Sequence, residues 1–157
     1  MTLRKIWSTI LCMATLGLAG CAGEPPSGLG LTDGQLAPCP DSPNCVSSQA
    51  ESGYASMEPI PLTLPAEQAQ AVLVETLQEM ERMEIVSVTP GYIHAEATSG
   101  IFGFVDDVEI AIDEAEGVID YRSASRMGYG DMNANRERMV EILGKYEEAV
   151  SAQAVAP

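Results

Sequence analysis

Histidine, basic side chains and aromatic residues are scarce in this sequence, and each scarcity excludes a kind of function. The 157 residues include one histidine, and aromatic residues make up 5% of the chain. Eight lysines and arginines stand against 23 aspartates and glutamates, so the net charge is −15. Since phosphate binding needs a basic surface, this charge excludes a nucleic-acid partner. Zinc-ligand spacings, phosphate loops and dinucleotide fingerprints are missing too, so we expect no cofactor and no resident metal.

Catalytic arrangements of side chains are equally scarce. With one histidine, His94, and few free cysteines, neither a Ser-His-Asp set nor a Cys-His pair is assured. Asp106 and Asp107 are neighbours in a predicted strand and point to opposite faces, so they do not form a carboxylate pair. A calcium site using Asp107 and Glu109 stays open as an alternative. We predict that His94 is a solvated strand residue, and we name no catalytic residue.

The chain's apolar N-terminal stretch is too short to span a membrane. Residues 6–18 form a stretch of 13 residues, whereas a helix needs roughly 20 residues to cross a hydrocarbon core of about 30 Å. Arg4 and Lys5 precede it, and Leu-Ala-Gly-Cys at residues 18–21 resembles a lipobox. This order predicts a signal peptide over residues 1–20 and a lipid on Cys21. An ordinary signal peptide with an incidental cysteine is the alternative.

Lipidation would place the protein in a bacterial cell envelope. Ala22 follows the cysteine, and a residue other than Asp there resembles the sorting pattern of outer-membrane lipoproteins in Gram-negative bacteria. We therefore expect a lipid-anchored protein on the periplasmic face of the outer membrane. Loss of Arg4 and Lys5 with the signal leaves 8 − 2 = 6 basic residues and a net charge of −17. Anionic headgroups then repel the domain, and the lipid holds it at the membrane.

Two of the four cysteines remain available for pairing. Cys12 leaves with the signal peptide and Cys21 carries the lipid, so Cys39 and Cys45 remain in an oxidising compartment. Their close spacing indicates a disulfide, which should contribute roughly 2 kcal/mol by constraining the unfolded chain. A redox pair and a metal site are the alternatives, although the spacing is not Cys-x-x-Cys.

Composition divides the mature chain into three parts. Residues 21–35 contain adjacent prolines, several glycines and no periodicity, and we predict a flexible tether with a reach of roughly 20 Å. Residues 36–150 should form a single folded domain. Residues 151–157 are expected to be a disordered tail.

Apolar residues recur at helical spacing at both ends of the domain. One helix is predicted after Pro65, whose backbone suits a first turn, and another over about residues 133–149, with Asp131 or Asn133 as its cap. Two predicted hairpins lie between them. The order helix-β-β-β-β-helix predicts an α+β fold, in which an antiparallel sheet of about four strands packs against two helices as a two-layer sandwich.

Alternating apolar residues predict a register for each hairpin. In the first, a Pro-Gly turn links the strands, and the apolar faces match when Val88 pairs with Ile93 and Val86 with Ala95. In the second, the pairs are Ile112 with Ile119, Ile110 with Tyr121 and Glu109 with Arg122. Phe104 and Val108 should lie on the same apolar face as Ile110 and Ile112.

Most of the basic residues of the mature chain lie close together in the sequence. Four of six fall within 17 positions, namely Arg122, Arg126, Arg136 and Arg138. A polar, glycine-bearing loop among them leads into a helix start, where amides, hydroxyls and arginines can hold a carboxylate, sulfate or phosphate. The candidate ligand-binding set also includes Asp107, Glu109, Ser123, Ser125 and Asp131. In the other interpretation, the arginines pair with the aspartates and brace this corner of the fold.

Several of these segments resemble the motifs of one protein family. Residues 39–48 (CPDSPNCVSS), 104–109 (FVDDVE), 122–131 (RSASRMGYGD) and 135–138 (NRER) are similar to successive motifs of the domain of unknown function 1499. The family typically has Gly where Asn133 stands, and both residues tolerate positive φ. The family occurs in bacterial envelopes and plastids, which implies an exported domain and names no substrate.

Three functions fit these observations. The favoured one is a non-enzymatic envelope lipoprotein that binds a partner protein or a small anionic ligand through the four arginines, with Asp107 and Glu109 orienting Arg122. A hydrolase or transferase acting on an envelope polymer would use Asp107 or Glu109 as acid or base beside the arginines. A structural or assembly role would use the cluster only as internal bracing.

Overall fold

A computed structural model describes residues 23–155, so the predicted signal peptide and lipidated Cys21 lie outside the described residues. The elements are β1 (Cys45–Ser47), β2 (Ile60–Pro61), α1 (Ala66–Gln78), β3 (Met83–Thr89), β4 (Tyr92–Thr98), β5 (Val105–Asp113), β6 (Val118–Ser125) and α2 (Ala134–Val155). Neither of the helices in this part of the chain is long and apolar enough to cross a membrane.

The strands form one antiparallel sheet in the order β1-β6-β5-β4-β3, and β2 pairs with β6 beside β1. The α+β class is therefore confirmed, but the predicted number of about four strands is too low, since the sheet has six. The two missed strands have three and two residues. Strands this short carry no readable alternation, and their pairing with β6 is a long-range contact.

The predicted register is right for the second hairpin and half right for the first. All three predicted pairs between β5 and β6 are present. Val88 pairs with Ile93 as expected, but Ala95 pairs with Ile85 because the register shifts between Ile85 and Ser87. A bulge of this kind puts one extra residue in a strand, so Val86 leaves the apolar face and is 51% exposed.

Both helices pack on one face of the sheet and bury the hydrophobic core there. The core includes Leu73 and Leu77 from α1, Ile110 and Tyr121 from the sheet, and Met139 and Ile142 from α2. Each such side chain contributes about 1.5–3 kcal/mol when fully buried. Phe104 was predicted to lie on the apolar face of the strand with Val108. It lies just before β5, is 40% exposed and is not part of this core. Helix α2 continues to Val155, beyond the expected end near residue 149 and into the expected tail.

The opposite face of the sheet is crossed by residues 23–36, which we name the N-terminal strap. The Gly30 N–H donates to Glu109 Oε1 on β5 at 2.8 Å, and the Leu36 N–H donates to Gln49 Oε1 at 2.8 Å. Leu36 is buried. The strap thus differs from the flexible tether expected here, because a buried carboxylate of the sheet supplies a partner for its backbone.

The predicted disulfide is confirmed. Cys39 and Cys45 are bonded, with their Cα atoms 5.6 Å apart. Cys45 is fully buried as the first residue of β1. The bond therefore fastens the chain that follows the strap to the edge of the sheet.

Candidate functional site

The predicted polar cluster is divided between the two faces of the sheet. Side chains alternate along β5 and β6, so Asp106 and Asp107 point to opposite faces as expected. One group lies under the strap, and we name it the strap-side network: Tyr92, His94, Glu96, Asp107, Glu109, Arg122 and Arg126. The other group lies beneath α2, and we name it the helix-side network: Asp106, Ser123, Ser125, Asp131, Asn135 and Arg138. The four arginines therefore do not form a single binding face.

Arg126 is the centre of the strap-side network. Its Nε lies 2.9 Å from Asp107 Oδ2 and its Nη2 lies 2.8 Å from Asp107 Oδ1, while Nη2 also bonds Glu96. The side chains of Arg126 and Asp107 are 4% and 1% exposed. Burial raises the pKa of the Asp107 carboxyl, but hydrogen bonds from Arg126 and His94 outweigh it, so the pKa lies below its ordinary value.

His94 is buried rather than solvated, which corrects the sequence prediction. Its Nε2 lies 2.8 Å from Asp107 Oδ1, and the residue is 7% exposed. One possible metal-ligand atom from each of His94, Glu96 and Asp107 lies within 4.8 Å of the other two, a spacing that a metal ion can use. Arg126 already bonds both carboxylates, so a cation would have to displace its guanidinium from between them.

Glu109 joins the strap, β4 and β6. It accepts hydrogen bonds from the Gly30 N–H and the Tyr92 hydroxyl, each at 2.8 Å, and from Arg122 Nη1 at 3.1 Å. Burial and the hydrogen bond to Glu109 raise the pKa of Tyr92. The predicted pairing of Glu109 with Arg122 is present, and both residues are buried. Arg122 Nε is buried without a hydrogen-bond partner among the described residues.

Asn135 connects the helix-side network, although sequence reasoning did not single it out. Its Nδ2 donates to the Asn44 carbonyl, to Ser125 Oγ and to Asp131 Oδ2, at 2.7 to 3.0 Å. Its Oδ1 accepts from Ser123 Oγ and from Arg138 Nη1, at 2.6 Å each. Asn135 is fully buried, and its motif position was the only sequence signal available.

The start of α2 is already capped by a side chain of the protein. Asp131 Oδ1 accepts from the Asn133 N–H at 3.1 Å, and Oδ2 accepts from the Asn135 N–H at 2.9 Å. Asn133 has φ +70°, a conformation that favours Gly or Asn. An anion at this helix start would have to compete with the Asp131 carboxylate for the same amides.

The two remaining arginines of the predicted set are also held by internal partners. Arg138 Nη2 lies 2.6 Å from Asp106 Oδ2, and its Nη1 donates to Ser123 Oγ at 3.0 Å. Arg136 donates to the carbonyls of Tyr54 and Ser56, and its Cζ lies 5.5 Å from the centre of the Tyr54 ring. This geometry favours bracing over anion binding, because each of the four guanidinium groups bonds at least one acceptor of the protein.

An apolar groove at one end of the sheet was missed by sequence reasoning. The loop after β4 and the loop before α2 enclose about 510 Å³ there. Five large apolar side chains line it, and Tyr129 lies beside them in the sequence. These six are exposed by 40% to 95%, and we name them the apolar end: Ile101, Phe102, Phe104, Met127, Tyr129 and Met132. A sequence signal did exist, since residues 99–104 and 127–130 contain no charged residue in a strongly acidic chain.

Comparison with known proteins identifies a family and no closer relative. No curated protein and no solved structure matches this chain. A family model described as "Protein of unknown function (DUF1499)" matches residues 35–145, which include every strand, all of α1 and the first half of α2. The chain therefore belongs to the DUF1499 family.

Proposed function

We propose that this protein is a lipid-anchored, non-enzymatic binding domain of the cell envelope, and that it binds apolar groups in the groove at the apolar end. The observation that carries the proposal is the exposure of five large apolar side chains that line one groove. Exposed apolar area costs about 25 cal/mol per Å² relative to burial. A contiguous apolar surface on a soluble domain is typical of an interaction site.

The charged residues support binding at the groove rather than at the arginines. Arg126 and Arg138 form buried or nearly buried ion pairs with Asp107 and Asp106. A general acid needs a carboxyl with a raised pKa, whereas the pKa of Asp107 is lowered. These arrangements favour a scaffold role for both networks and argue against the hydrolase or transferase alternative.

Binding of a neutral apolar dye such as Nile red tests the proposal. The sample is the chain over residues 22–157, which retains every described residue and omits the lipidated cysteine. The double variant Phe102→Ser/Met127→Ser removes two walls of the groove. We expect dye affinity to fall about tenfold or more, since burying one such side chain contributes at least about 1.5 kcal/mol.

Val86→Ser/Val88→Ser is the matched control, because it removes two exposed apolar side chains from β3, outside the groove. It should leave dye affinity unchanged. Equal losses in both double variants, or no dye binding by the unmodified domain, would contradict the proposal.

A further inference from the structure

Gly23, the first residue that the structure describes, lies beside the apolar end. A Cβ placed on Gly23 would lie 3.1 Å from Arg126 Cβ and 3.3 Å from Met127 Cγ, so Gly23 packs directly on these residues. Met127 lines the apolar groove. The first described residue thus lies against the apolar end rather than at the far end of the sheet.

Covalent geometry limits the distance between Gly23 and the predicted lipid. Two peptide units separate Gly23 from Cys21, and each spans about 3.8 Å between Cα atoms. A lipid on Cys21 would therefore be attached only two residues from Gly23, which lies against the apolar end. The strap, held to the sheet by the Gly30 bond to Glu109, replaces the long flexible spacer that would separate a domain from its membrane.

The charges around the apolar end suit a lipid surface. Its two loops, residues 99–104 and 127–130, carry no acidic side chain, although the precursor has a net charge of −15. Arg82, whose side chain is 59% exposed, places its guanidinium against Gly100 in the first loop. The two aspartates that line the groove are paired within the protein, Asp106 with Arg138 and Asp131 with amides at the start of α2. The two loops therefore present an apolar surface with an arginine beside it, and such a surface can enter the boundary between headgroups and acyl chains.

We propose that the apolar end docks on the bilayer that carries the protein's own lipid anchor. This inference rests on the proposed function and names the apolar partner as the upper acyl region of the membrane. Ile101, Phe102, Met127 and Tyr129 enter the bilayer, and Arg82 meets lipid phosphates. The domain is then held in one orientation, with the opposite end of the sheet away from the membrane.

Tryptophan fluorescence tests this orientation. The only tryptophan of the sequence is Trp7, in the predicted signal peptide, so a chain processed as predicted has no background tryptophan emission. The lipidated protein carrying Tyr129→Trp is reconstituted into phosphatidylethanolamine–phosphatidylglycerol vesicles whose lipids are brominated near the top of the acyl chains. We expect a blue shift and roughly twofold quenching relative to unbrominated vesicles, as for residues buried about 5–10 Å into the interface.

Val88→Trp provides the matched reporter. Val88 is 46% exposed and lies near the other end of the hairpin; β4 alone has seven residues, about 20 Å at 3.3 Å per residue. Its emission should not change with brominated lipids. Equal quenching of the two reporters, or none at Tyr129→Trp, would overturn the docking proposal.

The dye experiment separates this proposal from the proposed function. If Tyr129→Trp is not quenched but the domain over residues 22–157 still binds the dye at the groove, membrane docking is wrong and apolar binding stands. If Phe102→Ser/Met127→Ser weakens dye binding and also reduces the quenching of Tyr129→Trp when the three substitutions are combined, both proposals are supported, because the same surface carries both effects.

Discussion

At the scale of single residues, Arg126 decides between bracing and binding. Its guanidinium bonds both Asp107 and Glu96, and its side chain is 4% exposed. Arg126→Ala would leave Asp107 buried and short of partners, which costs about 3 kcal/mol or more. We expect this loss in the free energy of unfolding measured with urea.

Arg82→Ala is the control for that measurement. Arg82 lies 3.7 Å from Glu81, and both side chains are largely exposed, so the change should stay within about 0.5 kcal/mol. If Arg126→Ala were as mild as Arg82→Ala, the strap-side network would contribute little to stability, and a ligand site at Arg126 would regain support.

The lowered pKa of Asp107 predicts a pH dependence of stability. In the unfolded chain the carboxyl has its ordinary value of 3.8, whereas in the folded chain it stays ionised to lower pH. The unfolded state therefore takes up the proton first as the pH falls. The stabilisation is complete above the ordinary pKa and is lost as the pH falls toward the lowered folded value.

Urea unfolding at a series of pH values between about 5 and 2.5 measures this effect. The free energy of unfolding should fall more steeply with pH in the unmodified protein than in Asp107→Asn, which cannot titrate at this position. Parallel curves would show that Asp107 is not the linked group.

His94 shows why burial of a polar residue is hard to predict. Alternation correctly placed it on the face of Glu96, away from the core, and such a face is usually solvated. The strap, Asp107 and Arg126 cover that face, and each contact joins residues distant in sequence. No local pattern contains this information.

At the scale of elements, the cap of α2 can be tested by itself. Asp131 accepts two backbone hydrogen bonds at the helix start and one from the Asn135 side chain. Asp131→Ala should lower the free energy of unfolding by about 1–2 kcal/mol, because the amides lose their acceptor. Asp131→Asn keeps a side-chain oxygen and should lose less; equal losses in urea unfolding would contradict the capping role.

The two hairpins differ in how much of their pairing could be predicted. Between β5 and β6 the apolar alternation is unbroken, so matching the faces fixes the pairs Ile110–Tyr121 and Glu109–Arg122. Between β3 and β4 the bulge after Ile85 moves one side chain out of phase. Either placement leaves a plausible apolar pattern, and packing on the helices selects the actual one.

At the scale of the whole molecule, the strap links the predicted anchor to the fold. It connects Gly23, beside Met127, to Leu36, which is buried. A flexible tether would let the domain turn freely above the membrane. Under the docking proposal, the strap would instead keep the apolar end close to the predicted lipid, and the orientation experiment with Tyr129→Trp and Val88→Trp tests this arrangement.

The sequence by itself was sufficient to predict the family, the α+β class, both helices, the second hairpin and the disulfide. Each of these depends on the spacing of residues along the chain or on a succession of sequence motifs. Tertiary structure alone decided that Arg122 and Arg126 lie on one face and Arg138 on the other, that His94 is buried, and that two loops form a groove. These outcomes depend on which distant segments cover each face of the sheet, and that is settled by packing across the whole domain rather than by neighbouring residues.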